Sequence, residues 1–179
     1  MQKIPTIFKR NYSKTYQVLP IINPECQWVF DGHGIPYRKF QGMAAMIKQG
    51  TYYKRTIIKK NQPIPETFIL TTTDLRAQKH FGWLPVDPYD PQDQYYLHAY
   101  DPCLPDGTYE LLGPKILDNP EHMSSHILLN HKHQEITLPK RSYASIKHYL
   151  SKMDFEGIVF HHHLYGMAKI KKKDFGFVR

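Results

Sequence analysis

The sequence predicts an α+β fold, and three observations carry that reading. Several short runs rich in β-branched and aromatic residues are bounded by Gly, Pro or Asn. One segment, 142–153, repeats its apolar residues with a helical period. The regular βα alternation that a doubly wound parallel sheet needs is missing. A length of 179 residues favours a single domain, 1–179, with a real hydrophobic core. The 13 Tyr and 9 Phe argue against global disorder.

The early elements read as strands: "QWVF" (27–30), "MAAMIK" (43–48), "TYYKRTIIK" (51–59) and "TFILTT" (67–72). "KQGT" joins the second to the third as a hairpin turn, because Gly50 can take a positive φ. "LPVDPYDPQDQ" is rich in Pro and Asp and reads as a surface loop. "GTYELLGPKI" (107–116) reads as a strand ending in a turn. In "SYASIKHYLSKM" (142–153), Tyr143, Ile146, Tyr149, Leu150 and Met153 share one helical face, and Ser142 is the expected N-cap. "EGIVF" (156–160) and "GMAKIKK" (166–172) read as two strands with a His-containing connection.

Lys and Arg outnumber Asp and Glu by 24 to 16, a net charge of +8, which points to a polyanionic partner such as nucleic acid or a nucleotide. Cys26 and Cys103 have no metal-like spacing and suggest no disulfide framework, so a reducing compartment fits. The first residues, "MQKIPTIFKRNYSK", hold no signal-peptide core, and no run of about 20 apolar residues suggests a membrane span. The histidines of "HHH" (161–163) and "NHKH" (130–133) are dense. Adjacent strand residues point to opposite faces, so His161, His162 and His163 cannot all ligate one ion; surface or RNA contact is expected instead.

Four segments carry candidate chemistry: "RKFQG" with Lys39, "YKR" with Arg55, "YELLGPK" with Glu110, and the pair "EGIVF" and "AKIKKKDFG" with Glu156, Lys169 and Lys171. Their order resembles that of the ATP-dependent RNA ligases of the covalent nucleotidyltransferase superfamily, which also holds DNA ligases and mRNA capping enzymes. The resemblance spans about Arg38 to Gly176, and "EGIVF" followed by "KIKKKDFG" is its most specific part. "IPTIFKR", "PDGTYELLGPKI" and "EGIVFHH" further resemble a small branch of RNA ligases found in cellular and viral genomes.

The resemblance implies a nucleotidyltransferase (ATP-grasp-like ligase adenylation) domain with mostly antiparallel sheets and flanking helices. It implies that Lys39 is the nucleophile that takes AMP as a lysyl phosphoramidate. Arg55 then holds the ribose or the incoming end, Glu110 contacts ribose or metal, Glu156 helps hold Mg²⁺ or Mn²⁺, and Lys169 and Lys171 grip the α-phosphate. The chain departs from the pattern at Gln41, where the family carries an acid that helps organise the nucleotide pocket.

Physical chemistry supports these roles. Lysine attacks phosphorus as the free amine, yet an unperturbed ammonium titrates near 10.4, so nearby cations and burial are needed to lower it. Lys169 and Lys171 alternate with a strand's period and share a face, where they can stabilise phosphate charge and push Lys39 towards its neutral form. Lys172 and Lys173 are expected to face RNA or solvent. Glu156 offers hard oxygen to a divalent cation. Gly42 lets a loop backbone approach the nucleotide closely. Phe40, Trp83 and Phe160 are the candidates for stacking on adenine.

The expected activity joins RNA 5′-phosphate and 3′-hydroxyl ends, as in RNA repair, with ATP and a divalent cation as cofactors. The expected protein is a monomeric, cytoplasmic catalytic domain (host cytoplasm if viral), with no membrane partner and no C-terminal OB domain. Two alternatives stay open: an RNA-binding pseudo-ligase without chemistry, and an adenylyltransferase that stops before end joining.

Overall fold

The structure, a computed structural model, describes residues 4–75 and 77–178. Its elements follow the chain as β1 (Phe8–Arg10), β2 (Val18–Ile22), α1 (Gln27–Phe30), β3 (Ile35–Lys39), β4 (Met43–Lys48), β5 (Thr51–Lys59) and β6 (Ile69–Asp74). After these come β7 (Lys79–Pro85), α2 (Gln94–Ala99), β8 (Gly107–Leu112), β9 (Ile127–Asn130), α3 (Tyr143–Lys152), β10 (Gly157–His162) and β11 (Gly166–Lys171). The architecture is α+β, and every strand pair in its sheets is antiparallel among the described residues. No helix among those residues is long and apolar enough to cross a membrane.

The chain divides into two compact units. An inserted unit runs from Gln41 to His131; a split unit combines Ile4–Phe40 with residues 132–178. The inserted unit is built on a six-stranded sheet of order β6-β7-β5-β4-β8-β9. Its core gathers Ala45, Ile47, Tyr52, Tyr96, Tyr109 and Leu111. The β4–β5 hairpin matches the sequence reading to the residue. Its turn needs left-handed backbone at both central positions, with Gln49 at φ 51 and Gly50 at φ 72, the twist that suits a two-residue hairpin. Gln49 tolerates this because its N–H donates to Asp106 Oδ2 at 2.8 Å.

The split unit holds the sheet β11-β10-β3 and the small β1-β2 pair. Ile7, Phe8, Val29, Ile146, Leu150, Ile158, Phe160 and Ile170 form its core. α3 forms as its period predicts: the Ser142 Oγ accepts the Ser145 N–H at 3.2 Å, and Ile146 and Leu150 are fully buried.

Two readings of local structure change. "QWVF" is the helix α1, not a strand. Asn23 caps a 3₁₀ turn at Pro24–Cys26, with Pro24 in its first turn, and the chain coils straight on into α1. That N-cap and proline signal outweighs the β propensity of Trp28 and Val29. "LPVDPYDPQDQ" is only partly loop: Leu84 and Pro85 end β7, and Pro91–Asp93 forms a 3₁₀ turn that leads into α2. The other strands shift by a residue or two, with "TFILTT" moving to Ile69–Asp74.

Candidate active site

Lys39 is the last residue of β3, and the antiparallel register sets it opposite Gly157, which lies opposite Lys171. Residues in one row of a sheet project to the same face. Lys39 and Lys171 therefore flank the first residue of β10 from its two neighbours. Only glycine fits there: an added Cβ would come within 2.2 Å of the Ile170 carbonyl oxygen. Glu156 enters this row from the residue before β10. Its Oε2 lies 2.6 Å from Lys39 Nζ, and its Oε1 accepts a hydrogen bond from Lys171 Nζ. The Lys39 contact is an ion pair with that buried oxygen. Lys39 Nζ also donates to the Phe40 carbonyl at 3.0 Å.

Charge sets the protonation here. Burial works to raise the Glu156 carboxyl, but Lys39 and Lys171 outweigh it and hold it below the ordinary carboxylate range. Lys169 sits on the same face of β11 as Lys171, since Ala168 and Ile170 between and beside them turn into the core. Burial, then the neighbouring Lys171 and Lys39, push the Lys169 ammonium down to about 8. The sequence reading expects the lysine pair to push Lys39 towards the free amine. The same cluster lowers Lys169 as well, and Lys39 is paired with the Glu156 carboxylate.

The segment after β11 is pinned by a residue the sequence reading did not single out. Asp174 is fully buried; its Oδ2 accepts the Lys171 N–H at 2.9 Å and its Oδ1 accepts Arg10 Nη2 at 2.6 Å. The backbone that presents Lys171 is thus tied to the N-terminal strand. Lys172 does not face RNA or solvent: it is buried and donates its Nζ to the Met153 carbonyl at 2.6 Å, whereas Lys173 is exposed. The 3₁₀ turn that starts at Lys172 ends the strand's alternation, so the last basic residues leave the lysine face.

Of the aromatic candidates, Phe160 and Trp83 do not serve. Phe160 is fully buried in the split unit's core, and Trp83 is 2% exposed under the Arg55 guanidinium. Phe40 is half-buried, with the Arg38 guanidinium 4.4 Å above its ring.

The remaining predicted residues, Gly42, Arg55 and Glu110, belong to the inserted unit. Glu110 is on β8 opposite Ala44. Its Oε1 accepts the Gly42 N–H at 3.0 Å, and its Oε2 meets His131 Nε2 at 2.9 Å. His131 Nδ1 in turn lies 2.9 Å from the Thr108 hydroxyl. Gly42 is required by close packing on β8: an added Cβ would sit 2.3 Å from the Leu111 carbonyl oxygen. Arg55 donates to Thr71 Oγ1 at 2.9 Å. Strand alternation places Arg55 on the same sheet face as Glu110, through the pairs Ala44–Glu110 and Met46–Tyr53. The preceding Lys54 faces the other way and pairs with buried Asp93 at 2.5 Å.

Glu121 is a further carboxylate of this unit, and its Oε1 accepts the Gln41 N–H at 2.8 Å. Consecutive amides, Gln41 and Gly42, are thus each held by a glutamate. Neither Glu121 nor His131 stands in a motif; the only sequence signal for His131 is the histidine-dense "NHKH" at the end of β9.

Glu156 Oε2 is a buried carboxylate oxygen whose near cation is the Lys39 ammonium, and no group of three or more His, Cys, Asp or Glu among the described residues could hold a metal ion. Both oxygens of Glu110 are already engaged. No family model matches the sequence, and no curated protein matches it.

Proposed function

We propose that the protein is an ATP-dependent RNA ligase that joins 5′-phosphate and 3′-hydroxyl ends through a lysyl-AMP intermediate. The observation that carries the reading is the convergence of Lys39 and Lys171 on Glu156, with Lys169 on the same face. These residues come from separate places in the chain, in the order that the resemblance implies. A nucleotidyltransferase fold goes with this reading; the antiparallel α+β architecture is compatible with it.

In the first step Lys39 Nζ attacks the α-phosphorus of ATP, forming a P–N bond as the bond to pyrophosphate breaks. The 5′-phosphate of the RNA then attacks the adenylyl phosphorus, forming an anhydride and returning the lysine amine. Finally the 3′-hydroxyl attacks the activated 5′ end and AMP leaves. Each step is phosphoryl transfer, in which positioning and charge stabilisation do most of the work.

Before the attack, Lys39 must leave Glu156 and lose a proton. Lys169, on the same face of β11, is pushed down to about 8 by burial and by the neighbouring Lys171 and Lys39. Lys171 keeps Glu156 in place through Oε1 and presents an ammonium to the phosphate. Mg²⁺ or Mn²⁺ held at Glu156 Oε2 would neutralise phosphate charge there. Charge at that oxygen is also what Lys39 now compensates, so holding a cation and releasing Lys39 are linked. The resemblance assigns ribose contacts to Arg55 and Glu110. The net charge of +8 suits an RNA backbone, with binding that weakens as salt rises.

The test is incubation with α-labelled ATP and Mg²⁺ or Mn²⁺, followed by denaturation. Label retained on the wild-type chain and lost in Lys39→Ala is the expected result. Absence of label with either metal rejects the ligase reading and leaves an RNA-binding module. Nicked duplex, broken stem-loop and single strands then separate ligation from adenylation alone.

A further inference from the structure

The loop between β8 and β9 carries a conformational cost at one place. Leu117, Asp118 and Asn119 are consecutive non-glycine residues in left-handed backbone, at φ 48, 61 and 54, and His122 follows at φ 54. Such residues are uncommon singly and persist in a row only where their surroundings over-determine them. Here Ile116 is buried and its carbonyl accepts the Asn119 N–H at 2.8 Å. The Asn119 side chain then spans the next turn: its Nδ2 donates to the Met123 carbonyl at 3.0 Å, and its Oδ1 accepts the Met123 N–H at 2.7 Å. The bracket from Asn119 to Met123 encloses Glu121.

The product of this strained bracket is a carboxylate at the Gln41 amide, 2.8 Å away. The adjoining Gly42 amide is held at 3.0 Å by Glu110, which His131 orients from its other oxygen. Two carboxylates therefore grip successive peptide N–H groups in the segment that follows Lys39 by two and three residues. A charged acceptor makes a shorter and stronger hydrogen bond to backbone than a neutral one. The Asn119–Met123 bracket closes the turn that carries Glu121.

We infer that Glu121 is a positioning residue for adenylyl transfer, which holds the backbone after the nucleophile through the Gln41 amide. The inference rests on the ligase reading. Glu121 acts through that amide and takes no part in bond making. The anchoring group at 41 is the peptide N–H.

The experiment compares wild type, Glu121→Ala and Glu121→Gln in single-turnover labelling with α-labelled ATP, with melting temperatures measured in parallel. Glutamine keeps an acceptor oxygen where alanine has none. Glu121→Ala is expected to slow adduct formation at saturating ATP by about tenfold or more, the scale of a misplaced reacting group. Its half-saturating ATP concentration should stay within about threefold of wild type, a uniform-binding change that positioning does not predict. Glu121→Gln should recover the rate to within about threefold. The inference is overturned if Glu121→Ala labels at the wild-type rate, or if Glu121→Gln is as slow as alanine while melting like wild type. If wild type itself takes no label, the ligase reading fails and this role falls with it; a labelled wild type with an indifferent Glu121 sinks this role alone.

Discussion

Glu156 Oε2 stands 2.6 Å from Lys39 Nζ, while its other oxygen is taken by Lys171. The expected nucleophile and the expected cation ligand are thus partners of one another. The pair holds the Glu156 carboxyl below its ordinary value of 4.5 against the opposing effect of burial. A carboxyl held low adds stability above its unfolded value and loses it as pH falls through the folded one. Thermal melting of wild type should therefore decline with acid below about pH 4.5, and Glu156→Gln should remove part of that slope. The same variant should lose covalent labelling, since the carboxylate that positions Lys39 and Lys171 is gone.

Lys169 offers the opposite sign. Its ammonium titrates at about 8 in the folded chain against an ordinary value of 10.5. Folding therefore carries a cost that is present in full below about pH 8 and is relieved as pH rises towards 10.5. Lys169→Met should melt higher than wild type at neutral pH, by about 2–4 °C for each kcal/mol relieved, and the gain should shrink in alkali. Covalent labelling with ATP should fall in the same protein. A variant that is both more stable and less active marks a residue kept for function.

Replacing Gln41 by Asp tests the one position where the chain departs from the pattern its motifs resemble. The Gln41 amide is already held by Glu121. Gln41→Asp is therefore expected to change the rate of adduct formation by less than about threefold, under about 0.7 kcal/mol of barrier. A large gain would mean that the neutral side chain costs activity.

His131→Ala removes the group that meets Glu110 Oε2 and leaves a buried carboxylate oxygen without that partner. An unsatisfied buried acceptor costs about 1–3 kcal/mol. Melting temperature should fall by about 2–4 °C for each kcal/mol lost. An unchanged melting temperature would show that another donor replaces the imidazole.

Much of the secondary structure was legible in the sequence, because its signals are local. β4 and β5 follow from alternation around a turn containing Gly50, and α3 from a single apolar face with a serine cap. α1 was misread although "NPE" at 23–25 carries a cap and a proline; a short apolar run has no period long enough to separate strand from helix. The lysine face of β11 was readable from alternation through Lys171, and the reading failed at Lys172, where a 3₁₀ turn sends the side chain inward. Trp83 and Phe160 looked available for stacking because residue type does not reveal burial.

Taken alone, the sequence determined the order of the chemical groups, the period of the strands that carry Lys169 and Lys171, and the excess of positive charge. These depend on neighbours along the chain and on composition. Only the tertiary structure decided that Glu156 lies with Lys39 and Lys171, that Asp174 ties Lys171 to Arg10, and that Glu121 reaches the Gln41 amide across 80 residues. Such partners are chosen by strand register and by loop conformation. A one-residue change of register would move every side chain of a strand to its other face.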